Sequence, residues 1–280
     1  CNTRCLIDKV TRFEDEHKHP MNIDSMTADD LRVFADFLSS DYDISMNTIV
    51  TNMTLMRTVC NWVRKQGVTN NDPFFGYDMP KALYGTPYFL TIQERDQVLD
   101  ADLTDDAELA EYRDMFVFQC MVGCRHSDLV TFTPKNIIDG VLEYIPIKTK
   151  GKLGDVVRVP LIPKAMAILD GHDHGDDEPI FPKHYNFKFN DAIRRILKRA
   201  KVNRVVTVIN PKTRLEEKKP ISDVATSHLA RRTFIGNLYR MVKDPDLVAS
   251  MSGHAKGSVA FARYRVIDDD MKKSLVELIQ

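Results

Sequence analysis

Residues 137–147 read Ile-Ile-Asp-Gly-Val-Leu-Glu-Tyr-Ile-Pro-Ile, and the architecture of the C-terminal part of the chain turns on them. Two strand-like runs, Ile137-Ile138 and Val141 to Ile147, flank Asp139-Gly140, a dipeptide suited to the positive backbone angles of a tight hairpin turn. A third strand is expected over Val156 to Leu161, after the loop Lys150 to Gly154. Upstream, residues 109–122 form an apolar helix that stops at Gly123. Downstream, 187–200, 227–242 and 268–279 read as helices, with a β-branched run at 204–209. The pattern predicts a mixed α and β unit, a small antiparallel sheet beside helices.

Toward the N-terminus the pattern is helical. Thr27 with Asp30 resembles a capping box ahead of Leu31, Phe34, Phe37 and Leu38, which share one helical face. Ile49, Met53, Met56, Cys60 and Val63 recur at four-three spacing on a longer helix that Gly67 can end, with Asn52, Arg57, Asn61, Arg64 and Lys65 on its opposite side. Residues 70–90 hold three prolines and two glycines and read as a linker, and Thr91 with Glu94 opens the next helix. The expected division is a helical domain over 1–80, a linker over 81–90 and a second domain over 91–280.

A chain of 280 residues, 43% hydrophobic and 28% charged, has the composition of an ordinary globular protein, long enough for two domains. It has no apolar run of the ~18 residues a membrane helix needs and opens on no signal peptide. Its start at Cys1 rather than Met leads us to expect a preceding N-terminal piece. Net charge is −1, but residues 194–204 are densely basic while 102–114 and 170–178 are acidic. A near-neutral total can therefore hide a basic face. The five cysteines include Cys120 and Cys124, four apart with His126 nearby. They are read as reduced thiols rather than metal ligands.

Three segments carry the chemistry: Gly123-Cys124-Arg125-His126-Ser127-Asp128-Leu129 between two helices, His228-Leu229-Ala230-Arg231 within one, and Ser252-Gly253-His254 with Tyr264 ten residues on. His228 and Arg231 share one helical face. Together the set could surround one phosphodiester, with planar cations for its oxygens, imidazoles for hydrogen bonds and proton transfer, and a phenol as nucleophile.

In this order, Arg125, His228-x-x-Arg231, Gly253-His254 and Tyr264 resemble the tyrosine recombinase family of phage integrases, over nearly the whole chain. The resemblance implies a mostly helical α+β fold: a small helical, SAM-like core-DNA-binding domain and an integrase-type catalytic domain with a small antiparallel sheet. It also implies a lysine in the hairpin loop, where Ile147-Lys148-Thr149-Lys150 offers Lys148, with Lys150 as the alternative. The implied roles are Tyr264 as nucleophile forming a 3′-phosphotyrosyl bond, His228 as base, and Lys148 as acid for the leaving 5′-oxygen. Arg125 and Arg231 would bind the non-bridging oxygens, with His254 adding a hydrogen bond. The implied function is site-specific integration or excision of a mobile element, without metal, ATP or other cofactor. The expected partners are double-stranded DNA sites, bound by a homotetramer on two duplexes that exchanges its C-terminal helix (271–279), with no membrane partner; the expected location is cytoplasmic and nucleoid-associated, for a bacterial or phage-encoded protein. The gap from Gly-His to Tyr is one residue longer than is commonest in the family. Alternative readings are a type IB topoisomerase and a catalytically silent DNA-binding protein.

Overall fold

The computed structural model describes residues 2–149, 156–172, 175–242, 244–254 and 276–277. They form two compact units: Cys1–Gly85 with Ile209–Glu217, and Thr86–Val208 with Lys218–Gln280.

The first unit is built on α1 (Asn2–His17), α2 (Ala28–Ser40) and α3 (Met46–Lys65). Thr27 caps α2 with a complete capping box, its side chain accepting from the Asp30 amide while Asp30 accepts from the Thr27 amide. Leu31, Phe34, Phe37 and Leu38 of α2 pack with Ile49, Met53, Met56 and Cys60 of α3 and Phe13 of α1 into one apolar core. Three aromatic rings meet at its centre, Phe13 lying 5.3 Å edge-on to both Phe34 and Phe37. Asn52, expected on the polar side of α3, is instead buried, donating to the Thr48 carbonyl and accepting from Lys9 Nζ at 3.1 Å. Helical spacing places a residue on a face but does not say how wide the buried stripe is.

The second unit begins with α4 (Ile92–Leu99), again opened by a capping box, between Thr91 and Glu94. Next comes α5 (Ala107–Val122), on which every residue from Met115 to Val122 is buried. A helix apolar all round belongs at the centre of a domain, and α5 packs against α4 and four elements that follow: α6 (His126–Leu129), α7 (Pro163–Asp170), α8 (Asn186–Arg199) and α10 (Ser227–Val242).

Between α6 and α7 lies an antiparallel sheet in the order β1 (Ile137–Ile138), β2 (Val141–Tyr144), β3 (Val157–Pro160). Asp139 and Gly140 turn the hairpin with φ of 50° and 74°. Leu142 and Tyr144 pair with Val159 and Val157 on the core face, while Glu143 meets Arg158 at 3.0 Å on the outer face. β2 ends at Tyr144, short of the expected Ile147, because Pro146 cannot donate to a ladder. A 3-10 turn, Ile147–Thr149, follows instead. A second hairpin, β4 (Val205–Ile209) and β5 (Glu216–Pro220), precedes α9 (Ile221–Val224) and α10. Its tip, residues 209–217, groups with the first unit, which the expected block 91–280 did not foresee. There the Pro211 carbonyl accepts from the Met46 amide and Arg214 donates to the Lys81 carbonyl. Last among the described helices is α11 (Pro245–Ser252).

The basic and acidic tracts of this unit meet each other. Arg195 bonds Asp106 at 2.8 Å, Arg199 bonds Asp105 at 2.6 Å, and Lys198 reaches Asp223 at 2.8 Å. Arg194 pairs within α8 with Asp191 at 3.2 Å. No described helix is long and apolar enough to cross a membrane.

Candidate active site

Gly123 ends α5 with φ of 69°, and a Cβ there would lie 2.3 Å from the ring of Phe234 on α10. Only glycine fits a left-handed position pressed this closely against a neighbouring ring. The chain reverses and sets Arg125 in extended conformation just before α6. Arg231, from α10, is 1% exposed and donates through Nη1 to the Gly123 carbonyl at 2.8 Å. One guanidinium thus holds the turn that positions the other. Gln119 adds a buried bond from Nε2 to the Cys124 carbonyl at 3.0 Å.

His254 arrives from a different direction. Gly253 closes α11 with φ of 64° and sits against the hairpin loop and β3, where a Cβ would come within 3.0 Å of Val157 and 3.1 Å of Pro146. The His254 amide then donates back to the Ala249 carbonyl at 3.0 Å. Its imidazole meets Arg231 Nη2, 2.9 Å from Nδ1 and 3.1 Å from Nε2, and Nδ1 also lies 2.9 Å from Ser252 Oγ. Burial pushes this imidazole down to about 3, aided by the positive charges of Arg231, Arg125, His228 and Lys148. The ring is neutral because it is buried, and the positive charges near it add to the effect. Arg231 forms the floor, while His228 and Lys148 are exposed at the rim.

Arg125 lies between these levels. Its Nη1 is buried, has no hydrogen-bond partner among the described residues, and stands 3.9 Å from Asp128 Oδ2. Such a donor suits an incoming anionic oxygen. Asp128, 1% exposed and absent from the sequence-derived set, accepts the Ile147 amide on Oδ1 at 2.9 Å. It joins the Arg125 turn to the 3-10 turn that carries Lys148. Its position three residues after Arg125, on the short helix that Arg125 precedes, was the one local cue in the sequence.

Of the sequence-derived residues, Arg125, Lys148, His228, Arg231 and His254 come together; Tyr264 and the alternative Lys150 lie outside the described residues. The helix expected over 268–279, apart from 276–277, lies outside them too. Cys120 and Cys124 are buried core thiols, their pKa values driven up by burial. Among the described residues no cluster of three or more metal-binding side chains occurs.

A family model described as the phage integrase family matches residues 88–271. No curated protein sequence matches the chain. Among solved structures, the Tn1549 transposon integrase in complex with transposon right end DNA is 15% identical with a TM-score of 0.70, covering 99% of this chain and 93% of that one. A lambda integrase dimer bound to a COC′ core site is 14% identical at a TM-score of 0.65, covering 95% of this chain and 89% of that one. The XerH site-specific recombinase bound to difH is 14% identical at 0.63, covering 98% of this chain and 78% of that one. At these identities the likeness is one of fold.

Proposed function

Because the chain belongs to the phage integrase family, we propose that it exchanges DNA strands with six of its own side chains, Arg125, Lys148, His228, Arg231, His254 and Tyr264. It is a tyrosine recombinase, an enzyme of site-specific DNA recombination. The observation that supports the assignment best is the buried Arg231 guanidinium, bonded at once to the Gly123 turn ahead of Arg125 and to the His254 imidazole.

Arg125 and Arg231 bind the two non-bridging oxygens of the scissile phosphate. Such cationic contacts strengthen as charge spreads over the oxygens in the transition state; in phosphoryl transfer one arginine can be worth ~10³–10⁵ in rate. Neutral His254 hydrogen-bonds the same phosphate. A phenol with an ordinary pKa near ~10 is a weak nucleophile at neutral pH, so His228 takes the Tyr264 proton as the oxygen attacks phosphorus. The 3′-phosphotyrosyl bond forms, the bond to the 5′-oxygen breaks, and Lys148 protonates that oxygen. Attack by the 5′-hydroxyl of another strand reverses each transfer and frees Tyr264. The bond energy stays in the phosphodiester throughout, so no ATP is consumed.

The partner is duplex DNA; the Tn1549, lambda and XerH proteins named above are bound to DNA. We place the reaction in the cytoplasm, in a homotetramer on two duplexes linked by exchange of the helix at 271–279. The helices of residues 1–80 form the second DNA-binding surface.

Duplexes captured covalently by the wild-type chain from a randomised pool supply the substrate for the test. On denaturing gels the wild type should give a protein–DNA adduct and Tyr264→Phe none, while both retard the same duplex on native gels. An adduct that persists in the variant moves the nucleophile elsewhere, with Tyr239 the next to test.

A further inference from the structure

Tyr144 closes β2 on the core face, opposite Val157, with its ring 4.9 Å from that of Phe132. It is 7% exposed, and its hydroxyl is buried without a hydrogen-bond partner among the described residues. Phenylalanine would fill the same space without the cost of burying an unbonded hydroxyl. Packing alone therefore does not account for the oxygen.

Two more buried polar atoms nearby lack a hydrogen-bond partner among the described residues. Asp128 lines the same cavity as Tyr144, and its Oδ2 is one of them. Arg125 Nη1, 3.9 Å from that oxygen, is the other. A hydroxyl donor, a carboxylate acceptor and a cation thus share one buried corner, and no two of them are hydrogen-bonded. Burial drives the Tyr144 pKa far up, with smaller effects from Cys124, Arg231, Asp128 and Arg125, which places the phenol among these groups and keeps it a donor.

A phosphate that binds Arg125 Nη1 competes with Asp128 for the same cation. Asp128 Oδ1 already accepts from the Ile147 amide, which leaves Oδ2 to be satisfied. A buried carboxylate deprived of its cation is strongly unfavourable unless another donor replaces it.

We propose that Tyr144 is a positioning residue of the cleavage step: its hydroxyl donates to Asp128 Oδ2 as the scissile phosphate engages Arg125, and so holds the carboxylate that orients this guanidinium. The proposal rests on the recombinase reading above and adds to it a residue outside the six assigned to the chemistry. Phenol and carboxylate exchange no proton, and Tyr144 acts only through Asp128 and Arg125.

The test is single-turnover cleavage of the duplex captured by the wild type, with protein in excess. Tyr144→Phe should retard that duplex as the wild type does and melt no lower. It should cleave about tenfold more slowly, the value of one hydrogen bond to a charged group. Asp128→Asn should be slow too, and adding Tyr144→Phe to it should cost nothing more. Replacing one non-bridging oxygen of the scissile phosphate by methyl removes the negative charge that Arg125 balances. The gap between wild type and Tyr144→Phe should close on the diastereomer whose methyl takes the oxygen site of Arg125, whereas a bridging 5′-sulfur should leave the gap open. Comparing substrates within one protein sample cancels any loss of folded protein. The proposal is overturned if Tyr144→Phe cleaves normal DNA at the wild-type rate, if the gap persists on both methyl diastereomers, or if the two substitutions add. Closure of the gap by the sulfur would also overturn it, assigning the hydroxyl to the turn that carries Lys148. If wild type forms no Tyr264 adduct with any duplex, the recombinase reading itself fails; an adduct with unchanged cleavage by Tyr144→Phe sinks the role of Tyr144 alone.

Discussion

Arg231 divides its two terminal nitrogens between scaffold and site, Nη1 holding the Gly123 carbonyl and Nη2 touching the His254 imidazole. The second contact has a thermodynamic signature. In the unfolded chain this imidazole takes up a proton as pH falls through about 6.5. The folded protein resists until about 3. Between those values the unfolded state binds more protons, so stability rises with pH in this window and is lost as pH falls through it. His254→Gln removes that dependence, and its melting temperature should fall less than that of the wild type between pH 6.5 and 4.5. Equal falls would show that the ring is not held neutral by its surroundings. Arg125, His228, Arg231 and His254 were picked out in the sequence by their order along the chain and the family resemblance that order carries. Asp128 was not singled out. Its role depends on a bond to Ile147, nineteen residues away, that no local pattern encodes.

In the proposed mechanism the leaving-group step depends on the hairpin loop. Asp128 holds the Ile147 amide and Thr149 closes back on the Pro146 carbonyl at 2.9 Å, so Lys148 projects from a pinned turn. A bridging sulfur in place of the 5′-oxygen leaves without needing a proton. Lys148→Ala should therefore be slow on normal DNA and recover on the thio-substrate in single-turnover assays, whereas Lys150→Ala should be mild on both. The reverse pattern would assign the acid role to Lys150. Element boundaries were legible where apolar periodicity or a turn dipeptide marked them, as at Asp139-Gly140. β5 was not, because Glu216-Glu217-Lys218-Lys219-Pro220 has no apolar alternation and is a strand only through its pairing with β4.

At the scale of the molecule, the proposed assembly depends on the tail after Tyr264. Truncation after Asp270 removes Met271, Leu275 and Leu278. Burying each such side chain is worth roughly 1.5–3 kcal/mol, an upper limit because association has its own entropic cost. The truncated chain should still bind one site but lose the four-subunit complex on two duplexes, measured by mass photometry with paired sites. Normal synapsis would show that assembly rests on another surface. The two-unit division was partly legible from the proline-rich stretch before Thr91. The grouping of 209–217 with the first unit was not, since it arises from contacts between segments more than a hundred residues apart. The ion pairs along α8 bear on how the whole protein responds to ionic strength. A cation already matched to a carboxylate displaces few counterions from a duplex, while each phosphate neutralised by a free one adds about 0.9 to the fall of log affinity with log salt. With Arg194, Arg195, Lys198 and Arg199 engaged internally, a potassium chloride titration should give a slope shallower by about 3 to 4 than their charges alone would suggest. The enzyme should hold its DNA at salt concentrations that release a binder relying on the same number of unpaired cations.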